Sequence, residues 1–326
     1  MKKLILSFIM SVVAIYAFAD IYSLSKEEKY KINEEAENWI DNMPDGLQDK
    51  LSDAISHAQQ GVLSEINYFR NIADTNGIGL YKVEVRDISA NNNACLPVRL
   101  YSSNNTQKKE KPLLIYFHGG GWSLGSINTT EKFCRALASE GNVNIISVEY
   151  PLAPENPFPA AINKCLETVK YIISNSGEWN FLWNKVSLGG DGAGGNIALE
   201  VYNKLPEDML IESLVLFYPL IKTYGELNKD DKRSYGRGYG FDSRLWEEFI
   251  EAYNNSSEMN YKELPSTLLI SSGRDIIIED SRKLAANFTN IEYIELEDAL
   301  HGFITDGNQT TAFNKAVELT DIFLTK

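Results

Sequence analysis

Residues 187–202 read SLGGDGAGGNIALEVY. An apolar run ends at Gly189-Gly190, and a helical pattern opens just after Ala193. The chain therefore passes from strand to helix across Asp191-Gly192-Ala193. Glycines on both sides of this turn leave room for a very sharp bend. A bend of this kind, written G-x-S-x-G, normally carries a reactive serine at its tip. Here the five residues are Gly190-Asp191-Gly192-Ala193-Gly194, and the tip has no side chain.

Outward from this turn the pattern is strand, helix, strand. PLLIYF (112–117) is a continuous apolar run, as a strand buried on both faces would be. VNIISVEY, KVSLGG, SLVLFY, STLLISS and IEYIELE read as further strands. Helices are expected over 128–140, 159–174, from 194, and over 309–325. Strands separated by helices predict an α/β fold with a mostly parallel central sheet flanked by helices. Before it, YKVEVRDI and LPVRLY alternate apolar and polar residues as strands do, and NNTQKKEK reads as a polar turn.

Residues 20–78 differ. Ser25 with Glu28 fits a capping box, Leu47, Leu51 and Ile55 recur at helical spacing, and Leu63, Ile66 and Phe69 form a third stripe. With no strand among them, these helices must cover apolar surface elsewhere. The segment 222–262 interrupts the later alternation and is expected over the sheet edge. Within it, SYGRGYGF reads either as a ligand-gripping loop or as a solvated turn.

Four motifs fall at the carboxyl ends of predicted strands, where open α/β sheets place ligands. HGGGW (118–122), with Gly125 beyond, can aim backbone N–H groups at a developing oxyanion. YPLAPENPFPA (150–160) is a proline-stiffened loop. The third is the turn at Gly192. The fourth has two parts, Asp275 in SGRDIIIED and His301 in DALHGF. Of the three histidines, only His301 is placed to act as a base. The order nucleophile, acid, histidine is the order used by α/β-hydrolases.

Taken together, HGGGW…G, YPLAPE…PFPA, GDGAGGN, D…ED and HGF resemble the hormone-sensitive-lipase-like family of α/β-hydrolases, the fold-3 esterases and lipases, over roughly residues 80–325. The resemblance implies an α/β-hydrolase domain over 79–326 and a helical N-terminal cap over 20–78, with a second cap or lid element at 222–262. It implies an acid at Asp275, a base at His301, and oxyanion donors at Gly120, Gly121 and Ala193, with Gly119 adjoining. The family's arginine in YRLAPE is Pro151 here, and its nucleophilic serine maps onto Gly192.

Glycine at that position supports neither an acyl-enzyme nor proton transfer from a hydroxyl. Ser187 lies within the strand and should point away. Asp191 precedes the tip and cannot reach the same point. An oxyanion hole and binding alone leave about 10³–10⁴-fold catalysis over water. Three functions stay open: a scaffold for hydrolysing short or medium acyl esters, strongly impaired as written; a ligand-binding pseudoenzyme; and a carbohydrate deacetylase. The expected partner is a small-molecule ester or acyl ligand.

A net charge of −14 argues against nucleic acid as a partner. Cys95, Cys134 and Cys165 allow at most one disulfide, and core packing is the expectation for Cys134 and Cys165. No metal-ligand cluster or phosphate-binding loop is legible, and no cofactor is expected. Lys2, Lys3, the apolar stretch behind them and Ala17-Phe18-Ala19 read as a signal peptide over 1–19. That predicts an exported, periplasmic or secreted protein with no stable membrane anchor after cleavage.

Overall fold

The computed structural model describes residues 22–72, 77–88, 95–103, 110–175, 179, 182–221, 227, 229–255 and 261–326. The stretch expected to be a signal peptide (1–19), positions 104–109 of the turn NNTQKKEK (104–111) and parts of the 222–262 segment lie outside them. Among the described residues, no helix is long and apolar enough to cross a membrane.

Eight strands form one sheet: β1 (Val83–Ile88), β2 (Val98–Ser103), β3 (Glu110–Phe117), β4 (Asn144–Val148), β5 (Leu182–Asp191), β6 (Ser213–Phe217), β7 (Ser266–Arg274) and β8 (Ile291–Leu300). Their spatial order is β1-β2-β4-β3-β5-β6-β7-β8. β2 runs antiparallel to both of its neighbours, and all pairings from β4 through β8 are parallel. Parallel strands need long crossovers, which is why helices alternate with them.

The helices are α1 (Lys26–Asp41), α2 (Leu47–Gln59), α3 (Ser64–Arg70), α4 (Glu131–Ser139), α5 (Ala160–Ser174), α6 (Ala193–Lys204), α7 (Lys229–Tyr235), α8 (Ser243–Tyr253), α9 (Ile278–Asn287) and α10 (Thr310–Leu324). Side chains alternate across β3. Leu113, Ile115 and Phe117 join a core with Ile162 of α5 and Ile197 of α6. Leu114 and Tyr116 join a second core with Phe133 of α4 and Phe313 of α10. Both faces of the sheet are covered at its centre, so β3, β4 and β6 are buried almost throughout, whereas β1 at the edge keeps an alternating pattern. All three cysteines are buried, and none forms a disulfide.

The amino-terminal helices serve two parts of the molecule. α1 opens with the expected capping box at Ser25 and Glu28. It packs on β8 and α10, with Arg274 bonded to Glu37 at 2.5 Å and Thr311 bonded to Glu35 at 2.8 Å. α2 packs instead on α8, where Arg244 pairs with Asp49 and Asp53. This corrects one expectation. The part of 222–262 that is described lies over the carboxyl ends of the strands, against α2, rather than over the sheet edge. The stripe of Leu245, Trp246 and Phe249 buried along α8 explains that placement.

Candidate active site

The turn after β5 is as sharp as its glycines suggest. Gly192 has φ 52° and ψ −116° and caps α6. Its amide donates to the Phe217 carbonyl at 3.0 Å, and its own carbonyl accepts from Leu220 at 2.9 Å. The neighbouring glycines are required by contact. A Cβ on Gly194 would stand 1.9 Å from the Phe117 carbonyl oxygen, one on Gly190 would meet the Gly194 backbone at 2.4 Å, and one on Gly195 would press Pro219 at 2.8 Å. At Gly192 a Cβ would have one neighbour within 4 Å, His301 Nε2, at 3.6 Å.

His301 follows β8 directly. Its Nδ1 donates to Asp275 Oδ2 at 2.7 Å, and Asp275 Oδ1 accepts from the Ile277 amide at 3.1 Å. Asp275 is buried, whereas His301 is partly open. Two rings fix the imidazole plane: Phe241 with centroids 4.4 Å away and Tyr218 at 4.6 Å. Tyr218 is held in turn, because its hydroxyl accepts from the Ile304 amide at 3.1 Å. Phe241 closes the SYGRGYGF stretch, so at least this residue of it serves the site.

The loop after β3 approaches from the other side. Gly120 and Gly121 have φ of 115° and 58°. A Cβ on Gly121 would enter the Phe249 ring at 2.3 Å, and one on Gly120 would stand 2.3 Å from the Leu124 carbonyl oxygen. The amides of Gly120, Gly121 and Ala193 donate to no described residue. The Gly119 amide, by contrast, donates to Asp191 Oδ1 at 3.0 Å. Gly119 therefore shapes the loop but has no free N–H to offer an oxyanion.

A family model described as alpha/beta hydrolase fold matches residues 114–305, more than half of the chain. The chain belongs to the α/β-hydrolase family. Carboxylesterase NlhH of Mycobacterium tuberculosis is 34 % identical over 141 residues, covering 42 % of this chain and 44 % of that protein. An arylesterase of Saccharolobus solfataricus is 31 % identical over 176 residues, covering 53 % and 56 %. The chain thus spans about half the length of these curated relatives. The structure of a hyperthermophilic esterase from Pyrobaculum calidifontis superposes with a TM-score of 0.71 at 22 % identity, covering 82 % of this chain and 96 % of that one, and so shares the fold. The scaffold is that of an esterase/lipase-type α/β-hydrolase.

Within this fold, Ser187 and Asp191 are both engaged away from the tip of the turn. Ser187 bonds Ser213 at 2.7 Å inside the sheet. Asp191 turns back under the loop, where its Oδ1 also accepts from Tyr116 at 2.9 Å. Burial pushes the Asp191 carboxyl up to about 6, against the opposing pull of those hydrogen bonds. At the carbonyl end of Gly119, His118 Nδ1 donates to the oxygen at 2.8 Å, with the ring stacked on Tyr150 at 4.1 Å. Burial pushes His118 down to about 4, so it is neutral at pH 7.

Arg70 of α3 was not singled out by sequence pattern. Its guanidinium grips Glu155 through both terminal nitrogens at 2.8 Å and donates to the carbonyls of Ala153 at 2.8 Å and Ser123 at 2.9 Å. Pro151 stands where the family has an arginine, and in this chain a cation from the amino-terminal helices pairs with Glu155. The only available signal was a glutamate in YPLAPE left without a local cation.

A cavity of about 640 Å³ opens between α1, α2 and the loop after β3. Trp39, Leu47, Leu51, Phe69 and Ile72 give it apolar walls, and it reaches Gly119 and Gly120. Thr305, Asp306 and Asn308 form part of a polar margin. Among the described residues, no group of three His, Cys, Asp or Glu side chains is arranged to hold a metal ion.

Proposed function

We propose that this chain is a carboxylic-ester hydrolase scaffold for short or medium acyl esters that lacks its nucleophile. It binds an ester or acyl ligand and does not form an acyl-enzyme. The observation that carries the reading is the open direction at Gly192. A side chain there would project toward His301 Nε2, 3.6 Å from its Cβ, while His301 remains paired with Asp275. A serine hydroxyl, one bond beyond Cβ, would lie within hydrogen-bond reach of the base.

The roles follow from that geometry. Asp275 holds the His301 tautomer and stabilises its protonated form. The amides of Gly120, Gly121 and Ala193 receive the oxyanion. The apolar walls at Trp39, Leu47, Leu51 and Phe69 suit an acyl or aryl group better than a sugar, which disfavours the carbohydrate deacetylase. The helices at 20–78 and the 222–262 segment act as the cap. The relatives' names, carboxylesterase and arylesterase, point to the same chemistry. The reading includes export, supported by the amino-terminal lysines, the apolar stretch and Ala17-Phe18-Ala19.

The test is hydrolysis of p-nitrophenyl esters of graded acyl length by this chain and by Gly192→Ser. The expected result is a gain of about 10² or more in kcat in the variant, since removing a triad member costs several orders of magnitude. Equal rates in both would mean that the nucleophile lies elsewhere. A folded variant without activity, alongside a chain that binds ester analogues, would leave the pseudoenzyme as the function.

A further inference from the structure

The geometry points to a second use of the space above Gly192: it receives a small hydroxylic molecule, water or a one-carbon alcohol, as a direct acyl acceptor. This rests on the reading of Asp275, His301 and the amides as ester-hydrolysing machinery, and adds a reaction that machinery performs without a protein nucleophile.

Three observations carry it. First, the space is selectively open. Around it a Cβ on Gly119, Gly120, Gly121, Gly190 or Gly194 would meet another atom at 2.4 Å or less, whereas at Gly192 the nearest is His301 Nε2 at 3.6 Å. The opening admits at least the Cβ that serine would add there, and a one-carbon alcohol carries the same carbon and hydroxyl. Second, the base does not depend on a serine for its orientation. Asp275 fixes Nδ1 at 2.7 Å, and Phe241 and Tyr218 hold the ring. Nε2 is thus left facing the opening, with no described hydrogen-bond partner. Third, the amide of Ala193 adjoins the opening at the first position of α6, where a helix leaves its N–H groups unsatisfied.

The step balances without any redox partner. The acceptor hydroxyl gives its proton to His301 Nε2 while its oxygen lone pair forms a bond to the ester carbonyl carbon. The carbonyl π pair moves onto oxygen, facing the amides of Gly120, Gly121 and Ala193. Collapse of the tetrahedral species breaks the bond to the leaving alkoxide or aryloxide, which takes the proton back from His301. Water gives the acid, and methanol gives the methyl ester. Because both molecules are present together, the kinetics are those of a ternary complex, with no covalent intermediate.

The experiment follows p-nitrophenyl acetate turnover by the unaltered chain with methanol, ethanol or 2-propanol added, measuring methyl, ethyl or isopropyl acetate against acetate. The expected result is an alcohol-dependent rate that saturates, falls steeply from methanol to 2-propanol, and disappears in His301→Ala. In Gly192→Ala, whose methyl fills the opening, the methanol-dependent rate should fall about 10²-fold, the order expected when a reactant is displaced from its site. A linear dependence on alcohol without size discrimination would overturn the proposal, as would an undiminished methanol rate in folded Gly192→Ala. If Gly192→Ser hydrolyses the ester while the unaltered chain shows no saturable methanolysis, this inference fails and the ester-hydrolase reading stands. If Gly192→Ser is folded and inert, that reading fails as well.

Discussion

The loop after β3 and the tip of the turn after β5 are both built of glycine, for opposite physical reasons. In the loop, Gly119, Gly120, Gly121 and Gly125 lie so close to Asp191, Leu124, Phe249 and the Gly119 carbonyl that a Cβ would stand 2.3–2.4 Å from each. No other residue fits. At the turn's tip a Cβ would be accommodated, and only the backbone angle, φ 52°, favours glycine. The contrast separates glycines fixed by packing from one whose position would admit a side chain. Relief of backbone strain at such a tip is worth about 1–3 kcal/mol. On the proposed reading, Gly192 gives an unstrained turn in place of a reactive side chain, beside a His301–Asp275 pair that is still made.

The largest effect should come from the packed glycines. Gly194→Ala drives a methyl against the Phe117 carbonyl and should cost about 3 kcal/mol or more, or abolish folding. Gly192→Ala should cost only about 1–3 kcal/mol, all of it backbone strain. Urea unfolding of the two variants side by side measures the gap. Equal losses would erase the distinction between the two kinds of glycine.

A second, comparable effect depends on pH. Gly119 lies between two buried titratable groups, its N–H on Asp191 and its carbonyl under His118. Asp191 in the folded chain keeps its proton up to about 6, against an ordinary 3.8. The stability it contributes below pH 3.8 is therefore lost as pH rises through 6. His118 behaves oppositely, with a folded value of about 4 against an ordinary 6.5. Its contribution is complete above pH 6.5 and is lost as pH falls through 4. Each is worth up to about 3 kcal/mol, and over pH 4–6 the two slopes oppose one another. Asp191→Asn should therefore make stability climb more steeply with pH across that window. Parallel pH profiles for the variant and the unaltered chain would contradict this.

The smallest effect concerns Arg70, which joins α3 to the loops carrying Ser123, Ala153 and Glu155. Arg70→Ala should cost about 1–3 kcal/mol by leaving a partly buried carboxylate unpaired. Arg70→Lys should recover little, because one ammonium cannot reproduce the two-nitrogen grip on Glu155. A double-mutant cycle with Glu155→Gln reads the coupling, and additivity would show that the pair is not what joins the segments.

Much of this site could be read from sequence because it is local. A buried strand followed by His-Gly-Gly-Gly, a strand turning into a helix through small residues, and an aspartate and a histidine just past their strands all carry their signal within a few neighbouring positions. What could not be read is what comes from afar. Phe241 on His301, Phe249 on Gly121 and Arg70 on Glu155 are pairings across dozens of residues, and no spacing rule specifies them. That Pro151 stands where the family has an arginine was visible, but the pairing of Glu155 with Arg70 of α3 was not. The absence of a side chain at Gly192 was visible too, but whether the fold had closed over that position depended on the packing of its neighbours. The expected placement of 222–262 over the sheet edge failed for a related reason. The apolar stripe of α8 marks a face to be buried and does not say against which element.

The central claim is that nothing but a hydroxymethyl group separates this chain from a working serine hydrolase. Reaction with a fluorophosphonate, followed by intact-mass spectrometry, tests it most directly. The unaltered chain should gain no mass, and Gly192→Ser should gain one phosphonyl group that is lost again when His301→Ala is added. A covalent adduct on the unaltered chain, or a folded Gly192→Ser variant that stays unlabelled, would contradict the account.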